Sequence, residues 1–331
     1  MSAPSSGERS PSSASMSEGA QRRRLVELSA DLVRTPQVEP SAHLDAAEKQ
    51  ALAWVAELLL VDGPSLERFA AIHCGSFAAH TYPRASSELV ELGANLIGWL
   101  YLFDDAYGER CGDVRTLEAT LRTFEELIFH GELPAAPSPF HGALADLRAR
   151  ISHLGGESVL QRFGYSLRLY FEGCLLEFPY RSTGRYPSLP VYRSLRRWSV
   201  GALPVFDLIE LTLEQPLDST MVQKESYCGL RDAASSLCAW TNDLYSFHKE
   251  QHAHDPHNLV AVIMRERALT AEQAFADAVQ LYNSDLAAFD RALETFTCAP
   301  DTSPREVAYM RGLCDWVYGN HQWTKLSRRY Q

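Results

Sequence analysis

Two short polar segments carry side chains that could bind a divalent metal ion. The first contains Asp104, Asp105 and Glu109 and directly follows an apolar stretch. Asp105 and Glu109 are spaced i and i+4, so on an α-helix their carboxylates share a face and repel each other unless they are solvated or hold a cation. Hard oxygen ligands of this kind suit Mg²⁺. Adjacent acids are also common at solvated helix ends, and only the preceding apolar stretch favours the metal site.

The second segment is a polar stripe formed by Asn242, Ser246 and Glu250. On an α-helix these residues lie nearly in line, with a rise of about 6 Å between neighbours. An amide oxygen, a hydroxyl and one carboxylate suit a Mg²⁺ ion whose other ligands are water and phosphate oxygens. Lys249, beside Glu250, could contact a phosphate as a point charge. Apolar side chains flank the stripe, so we expect it to face inward rather than toward solvent.

The apolar spacing around both segments predicts α-helices. Leu89, Leu92, Leu96, Trp99 and Phe103 recur at intervals of three and four, which is one face of a helix. Alternating β-branched runs, which would indicate strands, are nearly absent. The sequence therefore predicts an all-α fold, with further helices over 230–247, 271–296 and 305–328 and breaks at 134–139, 182–190 and 299–304.

Composition excludes several classes of protein. The chain has 331 residues, of which 46% are apolar and 22% charged, and its net charge is −11. A net acidic surface disfavours nucleic acid and anionic membranes as partners. The seven cysteines form no C-x-x-C pair, which argues against a zinc site and for reduced thiols. No apolar run could span a bilayer and no signal peptide is visible, so a cytoplasmic protein is expected.

The chain divides into a tail and one domain. Residues 1–21 are rich in serine and contain almost no large apolar side chain, so they cannot bury enough surface to offset the entropy of ordering. We expect a disordered tail there. Residues 22–331 show neither an internal repeat nor a linker, and we expect one helical domain large enough to surround a cavity.

In this order and at this interval, the two polar segments resemble the metal motifs of bacterial-type class I terpene synthases. The acids match the family's aspartate-rich motif in its D-D-x-x-x-E form, although many relatives have Asp where this chain has Glu109. Asn242, Ser246 and Glu250 match the second motif. The resemblance covers about 40–331 and implies a single-domain helical bundle around a central apolar cavity. It also implies a carbon–oxygen lyase that ionises and cyclises a linear isoprenyl diphosphate, with three Mg²⁺ ions bound.

A segment beginning at Tyr192 resembles the family's diphosphate sensor. Arg197 then falls at the sensor position, Val200 at the linker and Gly201 at the effector position. Arg196 is the alternative sensor, one residue earlier. The linker departs from the family's common Asp, Ser or Thr. A proline shortly after Gly201 predicts a helix break that frees a backbone carbonyl toward the substrate.

The end of the chain resembles the family's closing pair. Arg329 and Tyr330 occupy those positions. Together with Lys249 and the sensor arginine, they would bind diphosphate oxygens, and an arginine can do so through two hydrogen bonds. An arginine at the surface of a basic helix end is the ordinary alternative, because another arginine precedes Arg329 in the sequence.

A carbocation also needs a wall that stabilises charge without attacking it. Aromatic faces provide this through cation–π attraction of roughly 0.5–2 kcal/mol each. An ordinary core position is the alternative for every such residue. The resemblance places Val200 in the substrate pocket together with five aromatic residues: Phe77, Trp99, Tyr101, Phe206 and Trp316.

The resemblance favours farnesyl diphosphate as the substrate, giving a sesquiterpene. Geranylgeranyl diphosphate, giving a diterpene, is the next candidate, followed by geranyl diphosphate. A prenyltransferase-like enzyme of the same fold is a rival, but a second D-D-x-x-D motif is absent from the sequence. A non-catalytic helical protein is another rival, and it would be favoured by a lost metal ligand. A homodimer is an expectation from the resemblance alone.

Overall fold

The computed structural model describes residues 35–108, 112–253 and 255–327. Within these ranges the chain is helical and contains no strand, which confirms the predicted all-α fold. The expected Ser-rich tail at 1–21 lies outside the described residues. In the described ranges, no helix has both the length and the apolar character that crossing a membrane requires.

The first half of the fold contains five α-helices among the described residues. The helix predicted around Leu89–Phe103 is confirmed, and the Ser86 side chain caps it by accepting a hydrogen bond from the Leu89 amide. A π-helical segment, Asp104–Gly108, continues from its end. The helices are α1 (Leu44–Glu57), α2 (Gly63–Ala70), α3 (Cys74–Thr81), α4 (Ser87–Phe103) and α5 (Val114–His130).

The second half contains the remaining helices of the described residues. Its longest, Pro139–Thr183, is broken at Gly156, where φ is +68°. All three predicted helices and the three predicted breaks are confirmed here. The elements are α6 (Pro139–Thr183), α7 (Leu189–Ser199), α8 (Ala202–Asp207), a 3₁₀ turn (Leu208–Thr212), α9 (Ser219–Val222), α10 (Glu225–Ala253), α11 (Leu259–Glu266), α12 (Ala271–Thr297) and α13 (Pro304–Leu326).

One cavity runs between these helices. Side chains from α3, α4, α6, α7, α8, α10 and α13 line it. Large aromatic residues fill the surrounding core, where Trp99, Trp240 and Trp323 are almost fully buried. An amphipathic helix gains stability by burying its apolar face, and a bundle of several such helices can leave a central space. The expected helical domain with an internal cavity is therefore observed over the described residues.

The break between α7 and α8 is made by Gly201. Its φ is +71°, in the left-handed region that glycine adopts without a steric penalty. Pro204, which the sequence suggested as the cause, is the third residue of α8. The first four amides of a helix have no intrahelical acceptor, so a proline there costs little. The break is where the sequence predicted it, but glycine rather than proline causes it.

Two helices that contribute to the cavity meet at a glycine. Gly319 of α13 lies against the last turn of α3, and a Cβ atom built on it would overlap the His80 carbonyl oxygen. A backbone atom cannot move aside as the end of a flexible side chain can, so such an overlap would displace one of the two helices. The position of α13, which carries Trp316 into the cavity lining, therefore depends on the absence of a side chain at Gly319.

We predict that Gly319→Ala lowers the free energy of unfolding by about 1–3 kcal/mol, the usual cost of overpacking. Gly229→Ala is the matched control, because Gly229 is an exposed helical glycine in α10 with open space around its Cβ position. That control should raise stability by up to about 1 kcal/mol through helix propensity. Urea unfolding followed by circular dichroism measures both, and equal changes in the two variants would contradict the close approach.

Candidate active site

The structure brings both predicted metal segments to the same cavity. Asp104, where the π-helical segment begins, lines the cavity together with Asn242, Ser246 and Glu250 from α10. Asp105 is partly buried and is not among the described residues that line the cavity. Glu109 lies outside the described residues.

The residues on α10 fit a Mg²⁺ ion. The Ser246 hydroxyl oxygen is buried without a well-formed hydrogen bond to a described residue, although it lies close enough to the Glu250 carboxylate to lower the pKa of that group, and a ligand would complete it. Burial raises the pKa of Glu250 to about 7, although Asn258 donates a hydrogen bond of 2.8 Å to its carboxylate. An incompletely hydrogen-bonded hydroxyl beside a carboxylate whose charge is poorly compensated is a ligand set that a hard cation would satisfy.

Arg196, and not Arg197, reaches this site. Its Nη2 donates to Asn242 Oδ1 at 2.8 Å, and the side chain lines the cavity. Arg197 instead pairs with Asp232 at 3.2 Å on the partly exposed side of α7. Of the two arginines, the structure therefore brings Arg196 to the cavity, and which of them contacts the diphosphate stays a prediction.

The register of α7 explains this difference. The helix buries Leu189, Tyr192, Arg196 and Ser199, which recur at intervals of three and four. Arg197 is rotated by about 100° from Arg196 and so leaves that face. Extending the apolar stripe from Leu189 and Tyr192 would have selected Arg196 from the sequence.

Asp243 holds the Arg196 side chain in place. Its carboxylate accepts a hydrogen bond of 3.0 Å from Arg196 Nε, another of 3.1 Å from the Leu259 amide, and one from the Tyr192 hydroxyl. Burial alone would lower the pKa of Arg196, but the Asp243 carboxylate outweighs it and holds that pKa well above its usual range. The guanidinium therefore enters the cavity charged and preoriented.

A second cluster of charged groups was missed by sequence reasoning. Glu177 is 3% exposed and lies 2.8 Å from His257 Nε2, and it also accepts a hydrogen bond from Ser199. Burial would raise the pKa of Glu177, but His257 and Arg181 lower it far below its usual range. Arg181 also lies 3.6 Å from Asp255.

Glu177, Arg181 and His257 all line the cavity beside the proposed metal ligands. The cluster could have been suspected on α6, where Tyr170, Glu177 and Arg181 follow one helical face. Its partners come from a distant part of the chain, which sequence spacing cannot show. Lys249 is exposed and lines the same cavity, so it lies where the cavity opens to solvent.

Three of the five aromatic residues expected in the pocket line the cavity. Phe77 and Trp316 do so with ring centroids 5.3 Å apart, and Tyr101 joins them from α4. Val200 and Gly201 also line it, at the break between α7 and α8. Tyr170 of α6 completes the aromatic wall and was not predicted.

Trp99 and Phe206 do not reach the cavity lining. Trp99 is fully buried in the core, where it stacks on Phe103 at 4.6 Å and donates a hydrogen bond to the Phe140 carbonyl. Phe206 packs edge-on behind Trp316, with centroids 5.6 Å apart. Helical periodicity identifies a buried face without showing whether that face meets a cavity or packed core. Arg329 and Tyr330 lie outside the described residues.

Comparison with known proteins supports a common architecture. A family model described as "Terpene synthase family 2, C-terminal metal binding" matches residues 95–288. Among curated relatives, (+)-T-muurolol synthase from Roseiflexus castenholzii, described as (2E,6E)-farnesyl diphosphate cyclizing, is 31% identical over 88% of this chain and 90% of its own length. (+)-Eremophilene synthase from Sorangium cellulosum is 30% identical over 86% of this chain and 88% of its own.

A solved structure gives the same result for the fold. The crystal structure of α-eudesmol synthase superposes with a TM-score of 0.79. It covers 89% of this chain and 99% of its own, at 24% identity. The helical bundle described above is therefore shared with this enzyme.

The placement of the two arginines generates a test by matched substitution. We predict that Arg196→Lys weakens the Mg²⁺-dependent binding of inorganic diphosphate by about tenfold or more, because the planar donor pair is lost while the charge beside Asp243 is kept. Arg197→Lys should leave binding within about threefold, the size of a surface effect. Isothermal titration calorimetry measures both, and a larger loss for Arg197→Lys would return the sensor role to that residue.

Proposed function

Because this chain belongs to the terpene synthase family, in its bacterial class I type, we propose that it cyclises farnesyl diphosphate to a sesquiterpene and releases diphosphate. It is a class I terpene synthase, and so a carbon–oxygen lyase. The observation that carries the proposal is the shared cavity: Asp104, Ser246 and Glu250 line it together with an aromatic wall. The choice of a C15 substrate is supported by the relative described as (2E,6E)-farnesyl diphosphate cyclizing.

The polar end of the cavity would hold the metal ions and the leaving group. Asn242, Ser246 and Glu250 would hold Mg²⁺ from α10, and Asp104 would do so from the end of α4. Asp105 and Glu109 stay in the proposal on the strength of the sequence motif alone, as does the number of three ions. When bound, Mg²⁺ compensates the charge of the diphosphate and makes it a better leaving group.

Cationic side chains of the protein would compensate the remaining charge of the diphosphate. Arg196 presents a guanidinium held by Asp243, and Lys249 adds a point charge at the cavity opening. Preoriented charges of this kind stabilise a developing polyanion without reorganising during the reaction. Arg329 and Tyr330 are proposed to close over the diphosphate, from the sequence resemblance.

The apolar end would control the carbocation. Phe77, Tyr101, Tyr170 and Trp316 present aromatic rings to the cavity, and each can stabilise a nearby cation by about 0.5–2 kcal/mol. Their packing also excludes bulk water, which would otherwise intercept the cation early. Gly201 is proposed to direct its carbonyl dipole toward the substrate, at the break that its own backbone creates.

Parallel incubation with geranyl, farnesyl and geranylgeranyl diphosphates tests the proposal directly. We expect a terpene product from farnesyl diphosphate with Mg²⁺ and none with EDTA, read by gas chromatography–mass spectrometry. Turnover of geranylgeranyl diphosphate alone would replace the sesquiterpene by the diterpene alternative. A folded protein that is silent on all three would overturn the proposed reaction.

The metal assignment predicts a sharp loss of turnover in Ser246→Ala and in Asn242→Ala, of about 100-fold or more. Ser246→Ala should not lower the melting temperature, because it removes a buried hydroxyl that has no well-formed hydrogen bond among the described residues. Ser236→Ala on the same helix is the control, since that hydroxyl only bonds the Asp232 carbonyl. Near-normal turnover in Ser246→Ala would remove this helix from the metal site.

The pocket assignment predicts that Trp316→Phe changes the ratio of products more than it weakens binding of diphosphate. Trp99→Phe is the contrasting variant: it loses a core hydrogen bond and so about 1 kcal/mol of stability, while its product ratio stays constant. Product profiles and thermal melts separate the two effects. An unaltered product ratio in Trp316→Phe would take this residue out of the reacting surface.

The extent of the domain and its oligomeric state are also proposed. The domain is proposed to extend over 22–331, of which the structure describes the larger part. A homodimer is proposed from the family resemblance, and light scattering at working concentration would test it.

A further inference from the structure

One polar side chain interrupts the aromatic wall of the cavity. Asn320 lies on α13 one turn after Trp316 and one turn before Trp323, so the three share a face of the helix. Phe77 packs against both tryptophans, with ring centroids 5.3 Å and 3.9 Å away. Phe77 and Trp316 line the cavity together with Asn320, so the carboxamide shares the aromatic part of its wall.

Among the described residues, the amide group of this carboxamide has no hydrogen-bond partner. Asn320 is 7% exposed, and its Nδ2 is buried without a hydrogen bond among the described residues. The side chain also lines the cavity. A buried amide left without a partner is destabilising, and native proteins usually satisfy such a group with an ordered water molecule.

The proposed function has no use for a carboxamide at this place. Diphosphate oxygens are provided for by Arg196 and Lys249, and the metal by the stripe on α10. Asn320 is neutral, so it does not pair with an anion as a charge. A neutral donor in an aromatic wall is suited to a small neutral ligand, and water is the one always available.

Resting on the proposed function, we infer that Asn320 holds one water molecule against the carbocation and that this water ends the reaction, so that the product is a terpene alcohol. The water oxygen forms a carbon–oxygen bond to the cationic carbon. The oxonium ion that results gives one proton to the released diphosphate. The isoprenyl diphosphate and one water are thus converted to an alcohol and protonated diphosphate, with no oxidant or reductant.

The origin of the oxygen is tested with the wild-type protein in H₂¹⁸O. The expected main product is an alcohol whose molecular ion is shifted by the mass difference between ¹⁸O and ¹⁶O. A hydrocarbon as the only product would overturn the inference and leave the proposed function intact. Absence of any product from the three isoprenyl diphosphates would overturn both.

A matched pair of substitutions tests the residue. Valine and threonine side chains have nearly the same size and shape, so Asn320→Val and Asn320→Thr change the cavity volume equally. Only threonine has a hydroxyl that can hold water. We expect the ratio of alcohol to hydrocarbon to fall by about tenfold in Asn320→Val and to be largely retained in Asn320→Thr. Equal ratios in the two variants would overturn the assignment.

A second control separates water binding from cavity shape. Cys238→Ala removes one sulfur atom from the wall of the same cavity, which enlarges it, and leaves the Asn320 carboxamide in place. It should keep the labelled alcohol as the main product, and an equal loss of alcohol there would contradict a specific role for Asn320. Thermal melts with and without Mg²⁺ and inorganic diphosphate confirm that each variant is folded and keeps its polar end.

Discussion

Arg196 extends from α7 to α10, where Asp243 and Asn242 accept hydrogen bonds from its guanidinium. Burying this pair removes two charges from water, a cost that only close geometry and further hydrogen bonds can offset. Tyr192 and the amide of Leu259 supply those bonds. The contact therefore ties three helices together at the point where the metal ligands begin, and Asn242 is positioned by the same arginine that would bind the diphosphate.

The other residues that line the cavity are arranged so that the charged groups lie at one end. Glu177 on α6 pairs with Arg181 and lies 2.8 Å from His257 Nε2, so the Arg181 guanidinium that lines the cavity is itself held by a buried acid. The aromatic residues on α3, α4 and α13 carry no charge, and they leave space that a flexible hydrocarbon can fill. A polyanion and a hydrocarbon can share one enclosure because each contacts a wall of its own kind.

Helices and metal motif were predictable because both depend on local spacing. Leu89 to Phe103 show a helical period, Ser86 is a good cap, and Asn242, Ser246 and Glu250 align on any straight helix.

The choice between Arg196 and Arg197 depended on which face of α7 is buried. The apolar residues earlier in the helix indicate that face only when their spacing is extended to the arginines. The distinction between Trp99 in the core and Tyr101 at the cavity depends on tertiary packing. The approach of His257 to Glu177 likewise joins segments distant in sequence, so no local pattern contains it.

The left-handed residue Gly201 separates α7, which holds the fixed cation, from α8, which lines the apolar end. A continuous helix would couple the two, since any shift of its apolar end would rotate the arginine as well. With the chain broken between them, substitutions on α8 can reshape the hydrocarbon space while Arg196 keeps its register. Over evolutionary time, a protein built in this way can acquire new carbon skeletons by small changes in one helix, without having to rebuild the machinery that starts the reaction.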